Sequence, residues 1–154
     1  MIQRIQTVYL FIASMIMLSI FFFPLTVMAD ADGQYYQIDL FGIWEGAGEA
    51  AQKIESLLPL RFLVFVTAAL SMVTIFFYKR RILQIRICIF NIMMLTGFYA
   101  LFFFYFFHIK NRLSAIADLK ITVVFPIVAV ILVFLATRYI RKDEMMVRSC
   151  DRIR

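Results

Sequence analysis

Val8 to Met28, Leu57 to Tyr78, Ile87 to Phe107 and Ile121 to Thr137 are apolar stretches long enough to cross a bilayer, and together they take up more than half of the 154 residues. A span needs about 20 predominantly apolar residues at about 1.5 Å of rise each. The first, third and fourth stretches hold no charge, and the second is uncharged from Phe62 onward. Arg61 and Arg138 sit where their heads can snorkel to the interface. The chain is 64% hydrophobic, with a mean hydropathy of +0.88, against roughly 45–50% apolar residues in soluble domains. A soluble chain of this length cannot enclose four such helices. The expected fold class is therefore an all-α membrane protein, one domain of four transmembrane helices. A small extracytoplasmic subdomain, a short strand plus a short helix, lies between the first two.

Arg4 before the first run, and Val27-Met28-Ala29 after it, have the outline of a secretory signal peptide. Signal h-regions are about 7–15 residues, and this run is longer, so it reads as a retained helix.

Orientation follows from Lys and Arg. With both termini in the cytoplasm, eleven of the sixteen cations fall inside, including the Lys79-Arg80-Arg81 hairpin and the basic tail 138–154. Lys53, Arg61, Lys110, Arg112 and Lys120 fall outside. The formal charge of +6 is thus a topology signal that faces anionic lipid headgroups, and it does not point to nucleic acid. Cys88 and Cys150 both lie on the cytoplasmic side, so no disulfide framework is implied. With the lone His108 at the end of the third span, they make no plausible metal site. The sequence asks for no cofactor.

The outer loop, 29–56, carries six of the ten acids. Tyr35 to Leu40 alternates, with Tyr36, Ile38 and Leu40 on one face, as a strand does. Gly42 and Gly46 flank Trp44 and permit a turn or close backbone approach. Trp44 suits the headgroup level, a loop anchor or a partner contact, and the interfacial preference of Trp favours anchoring. Ala47 to Leu58 reads as a short amphipathic helix, with Pro59 suited to the start of the second span.

No Asp or Glu falls inside any apolar stretch, whereas proton relays and ion-coupled carriers usually carry such groups. Asn91 is the sharpest polar residue left and should seek an interhelical hydrogen bond. Pro126 is expected to kink the fourth helix near its outer end. From Phe98 to Phe107 eight of ten residues are aromatic. Rings on every side of one helix must be shared between lipid and helix contacts. In the tail, Glu144 with Arg148 and Arg148 with Asp151 make favourable helical pairs, and Arg4 emerges on the same side.

The two chain ends carry a resemblance. Met1-Ile2-Gln3-Arg4-Ile5-Gln6-Thr7, and Lys142-Asp143-Glu144 with Val147-Arg148-Ser149 and Asp151-Arg152-Ile153-Arg154, resemble a bacterial family of small four-helix inner-membrane proteins labelled only as a domain of unknown function. The resemblance covers the whole chain and implies four spans with both ends inside. It transfers no activity. Gly42-Ile43-Trp44 is similar, in architecture only, to the first outer loop of claudin-type four-span proteins, whose paired cysteines are missing here.

The expected function is a non-catalytic subunit or assembly factor of an envelope complex in the bacterial inner membrane. It would have a protein partner or a second copy of itself as its neighbour. Asn91, Trp44, Arg4, Arg148, Asp151 and Arg152 are the candidate contact residues. A small lipid- or solute-handling carrier, acting as an oligomer around Asn91 and Pro126, is the alternative. An enzyme is not expected, since no nucleophile–base pair or metal-ligand spacing stands out.

Overall fold

A computed structural model describes residues 3–29, 34–46, 51–78, 80–113 and 116–151. Four helices carry the fold: α1 (Gln3–Ser19), α2 (Leu58–Phe76), α3 (Arg81–Leu113) and α4 (Phe125–Asp151). Each is long and apolar enough to cross a membrane. They run up and down in sequence, and each packs on its two neighbours, with α4 closing back on α1. The start of α1, the end of α4 and the connection between α2 and α3 share one end of the bundle, here called the terminal end. The other end carries a sheet.

Prolines set the helix limits at the sheet end. Beyond α1 a 3-10 turn, Ile20–Phe22, leads to Phe23 in extended conformation (φ −126°, ψ 142°), the geometry that Pro24 imposes on the residue before it. The chain therefore leaves the helix there, and the apolar run to Met28, expected as helix, ends in strand β1 (Thr26–Ala29). Thr26, Val27 and Met28 are apolar or β-branched enough for either role, and Pro24 decides between them. Pro59 and Pro126 are the second residues of α2 and α4, where the ring's missing N–H costs nothing. Pro126 thus starts α4, behind a 3-10 turn at Ile121–Val124, and does not kink it.

The sheet is five-stranded and antiparallel, in the order β4-β3-β2-β1-β5. Strands β2 (Tyr35–Ile38), β3 (Ile43–Glu45) and β4 (Gln52–Glu55) come with β1 from the first long loop, and β5 (Ile116–Leu119) comes from the second. Val27 stands opposite Gln37 on one side and Asp118 on the other. In β2, Tyr36 and Ile38 are buried while Tyr35 and Gln37 are exposed, so the alternation read from the sequence holds. The expected helix over Ala47 to Leu58 does not form. Residues 47–50 lie outside the described residues, and Gln52–Glu55 is strand β4, with Lys53 paired to Trp44 and Glu55 to Ile43. Local helical spacing was outweighed by pairing with β3, a non-local gain that a short Ala/Glu/Lys segment does not announce.

The inner face of the sheet joins the bundle core. Leu25, Met28, Tyr36, Ile38, Leu40 and Ile43 are buried in one cluster with Ile20, Leu57, Leu60, Phe106 and Ile109. The Asp39 carboxylate accepts from the backbone N–H groups of Phe41 and Gly42, both at 2.8 Å, and so fixes the β2–β3 turn.

Candidate functional site

The side chains that α3 turns to the core change character along its length. Gln84, Cys88 and Asn91 occupy the half near the terminal end, and Leu95, Phe98, Phe102, Phe106 and Ile109 continue the same three-four spacing toward the sheet. The other helices repeat the gradient. In α2 the buried residues run from Leu60 and Val64 to Thr67, Ser71 and Thr74. In α1, Gln6 is buried near the terminal end, and Met17 lies toward the sheet. In α4, Ala129 and Val133 give way to Thr137, followed by Ile140 and the part-exposed Asp143. The helix core is thus richer in polar side chains toward the terminal end, although Ile140 is buried there and Thr26 and Thr122 are buried beside the sheet.

The polar half is hydrogen-bonded from helix to helix. The Ser14 hydroxyl donates to the Ala68 carbonyl at 3.1 Å, joining α1 to α2. Asn91 Nδ2 donates to Ser71 Oγ at 2.7 Å, the interhelical partner that an amide at this depth needs. Gln84 Nε2 donates to the Thr74 carbonyl at 3.3 Å. The group nearest the terminal end is an ion pair. Arg81 Nη2 lies 3.2 Å from Asp143 Oδ2, and Arg81 Nη1 donates to the Asp143 carbonyl at 3.4 Å. One guanidinium thus ties the start of α3 to α4 through its two terminal nitrogens, a geometry Lys cannot reproduce.

Among the described residues of this half, Gln6 Nε2 and Asn91 Oδ1 are buried without a hydrogen-bond partner. A buried donor or acceptor left unmet costs about 1–3 kcal/mol. Gln6 lines a cavity of about 540 Å³ with Tyr78, Arg81, Gln84 and Asp143, walled by Val8, Ile75 and Phe76. A neighbouring cavity of about 770 Å³ has Arg80, Arg81 and Arg86 facing Glu144. This is a site built to hold polar groups next to apolar walls.

The candidate residues fare differently. Asn91 lies in the polar core. Trp44 sits on β3 far from it, half-buried, with Lys53 Nζ 5.8 Å from its ring centroid and its indole N–H without a partner. Arg4, Arg148 and Asp151 fall on described helical backbone, but their side chains lie outside the described residues, as does all of Arg152. The tail pairings expected for them therefore lie outside the description too. Asp143 is held by Arg81, which had stood out in the sequence only as part of a basic hairpin. Gln84 was also missed, although its seven-residue spacing from Asn91 places both on one face.

The aromatic run divides as its all-round distribution requires. Phe98, Phe102 and Phe106 are buried, Phe103, Phe104 and Phe107 are exposed, and the Tyr99 hydroxyl donates to the Val123 carbonyl at 2.7 Å. His108 stacks on Phe104, ring centroids 6.3 Å apart. Among the described residues no three His, Cys, Asp or Glu side chains are grouped to hold a metal.

The family model described as "Domain of unknown function (DUF4293)" matches residues 2–153, which includes both chain-end motifs and every element of the fold. The chain belongs to this family. None of the curated proteins matches this DUF4293 chain.

Proposed function

We propose that this DUF4293 protein is an integral membrane protein of the bacterial inner membrane with both termini in the cytoplasm. In that setting it serves as a non-catalytic accessory subunit, held to a partner protein through its extracytoplasmic sheet. Membrane insertion is supported by the four apolar helices together with their exposed faces, on which Phe62, Phe65, Met93, Phe104 and Phe134 stand more than half exposed. The orientation rests on the distribution of cations.

The observation that carries the subunit reading is β4. All four of its residues are exposed, and among the described residues it pairs only with β3. A strand exposed along its length, with one hydrogen-bonding edge unpaired among the described residues, is a template for another chain. Ile54, half exposed at its centre, supplies an apolar contact.

The test is purification in mild detergent of the tagged wild type and of Ile54→Pro, which cannot donate from the strand. A stoichiometric partner that is lost with Ile54→Pro, while the variant stays monodisperse and helical, is the expected result. A bare chain in both preparations sinks the subunit reading.

The carrier reading draws on one observation, the unmet Asn91 Oδ1 inside the bundle. It predicts that Asn91→Leu alters the phenotype without altering stability, and it is dropped if neither changes.

A further inference from the structure

A groove of about 640 Å³ runs between α3 and α4 near the terminal end. Its α4 wall is a single stripe, Phe134, Arg138, Arg141, Lys142 and Met145, and Ile89 and Ile92 of α3 face it. The two neighbouring cavities each contain their own acid, Asp143 or Glu144. This one has three cations and no acid among its lining residues. None of the three is ion-paired to a described residue, since the Arg81–Asp143 pair is the salt bridge there.

The polarity is ordered as well as unbalanced. Phe134 lies one helical turn before Arg138 on the side of the sheet, about 6 Å away along the axis, and is 58% exposed. Ile89, 40% exposed, continues that apolar floor across the groove. The cations therefore form the mouth, at the point where the uncharged stretch of α4 ends. An apolar trough that ends in unpaired cations at a membrane boundary complements a molecule with a hydrocarbon chain and an anionic head.

We propose that the α3–α4 groove is a specific binding site for one anionic phospholipid of the cytoplasmic leaflet. The phosphate is held by Arg138, Arg141 and Lys142, and an acyl chain lies over Ile89, Ile92 and Phe134. The proposal rests on the membrane reading above. A free phosphate shares the head chemistry but leaves the exposed apolar floor uncovered, so the lipid is the occupant. Because three cations can meet two phosphates, a two-phosphate lipid binds more tightly than a one-phosphate lipid.

The test is mass spectrometry of the intact protein released from nanodiscs of neutral phosphatidylcholine containing a minor fraction of phosphatidylglycerol or cardiolipin. Wild type is expected to retain one anionic lipid per chain, cardiolipin in preference. Arg141→Gln with Lys142→Gln should lower retention by about ten- to thirty-fold, the weight of two cations near a charged surface. Arg80→Gln with Arg86→Gln removes the same charge from the adjacent cavity and should leave retention unchanged. Ile89→Trp fills the groove at constant charge and should lose the lipid as well.

Equal losses in both double variants would reduce the effect to general surface charge and overturn the site. So would retention in Ile89→Trp, or displacement of the lipid by inorganic phosphate. Carbonate washing of cell membranes separates the two levels. A chain that washes off overturns the membrane reading and the site with it, while a chain that stays but shows no lipid preference overturns the site alone.

Discussion

A Cβ placed on Gly42 falls on the Glu55 carbonyl oxygen and within 2.7 Å of Lys53 Cε. Strand β4 approaches this turn so closely that only glycine fits, and the φ of +159° adds to the demand. Gly42→Ala is expected to destabilise the sheet by about 1–3 kcal/mol, read as early proteolysis of the first loop while the helical signal persists. Gly97, with nothing within 4 Å of its Cβ position, is the control. Gly97→Ala in α3 should be neutral or stabilising by up to about 1 kcal/mol. Asn91 tests the polar core at the same scale. Ser71 also donates to the Thr67 carbonyl, so losing Asn91 leaves its hydroxyl proton bonded, and Leu at 91 removes an unmet oxygen. A double-mutant cycle of Asn91→Leu with Ser71→Ala, followed by thermal unfolding in detergent, should give a coupling of about 0.6 kcal/mol and not above about 2. A much larger value would mean that Asn91 anchors more of the bundle than one hydrogen bond.

Between elements, the Arg81–Asp143 pair is the strongest tie that the sequence left hidden. The side chains are 21% and 15% exposed, so water still screens them in part. Asp143→Ala strands a guanidinium and should cost about 1–3 kcal/mol. Adding Arg81→Met should restore most of that, because an apolar pair can replace a buried ion pair at little cost. If the double variant in the same melting assay is no better than the single, the partners do not act on each other. Legibility at this scale followed the range of the interaction. The four apolar helices were readable because hydropathy is a property of each segment by itself. Strand β2 showed in its local alternation. Strand β5 and the strand character of Gln52–Glu55 were not readable, since each exists only through a neighbour contributed from elsewhere, β1 or β3. Arg81 with Asp143 failed for the same reason. Pro24 was visible and decisive, yet a hydropathy count passes over one proline inside an apolar run.

For the molecule as a whole, the lengthwise gradient of the core bears on orientation. At about 1.5 Å per residue the 33-residue α3 is about 50 Å long, well over a hydrocarbon thickness of about 30 Å. In the proposed membrane setting it must project beyond the hydrocarbon, with Arg81 and Arg86 at one end and Lys110 and Arg112 at the other. Cation number favours the terminal end as cytoplasmic, and the hydrogen bonds of Asn91 and Gln84, the two cavities that hold Asp143 and Glu144 and the proposed lipid groove lie toward that end. Toward the sheet the helix core is closed by Phe98, Phe102 and Phe106, so under the proposed orientation the polar half of the bundle opens to the cytoplasm. Cysteine labelling decides whether this picture is right. In a background lacking Cys88 and Cys150, Gln34→Cys beside the sheet and Val147→Cys near the end of α4 are both exposed positions. A membrane-impermeant maleimide should label Gln34→Cys on intact spheroplasts, and Val147→Cys only after the membrane is opened. The reverse pattern would invert the protein and move the lipid groove to the outer leaflet. Labelling of both on intact spheroplasts would place the two ends on the same side, which an up-and-down four-helix bundle spanning the bilayer does not allow.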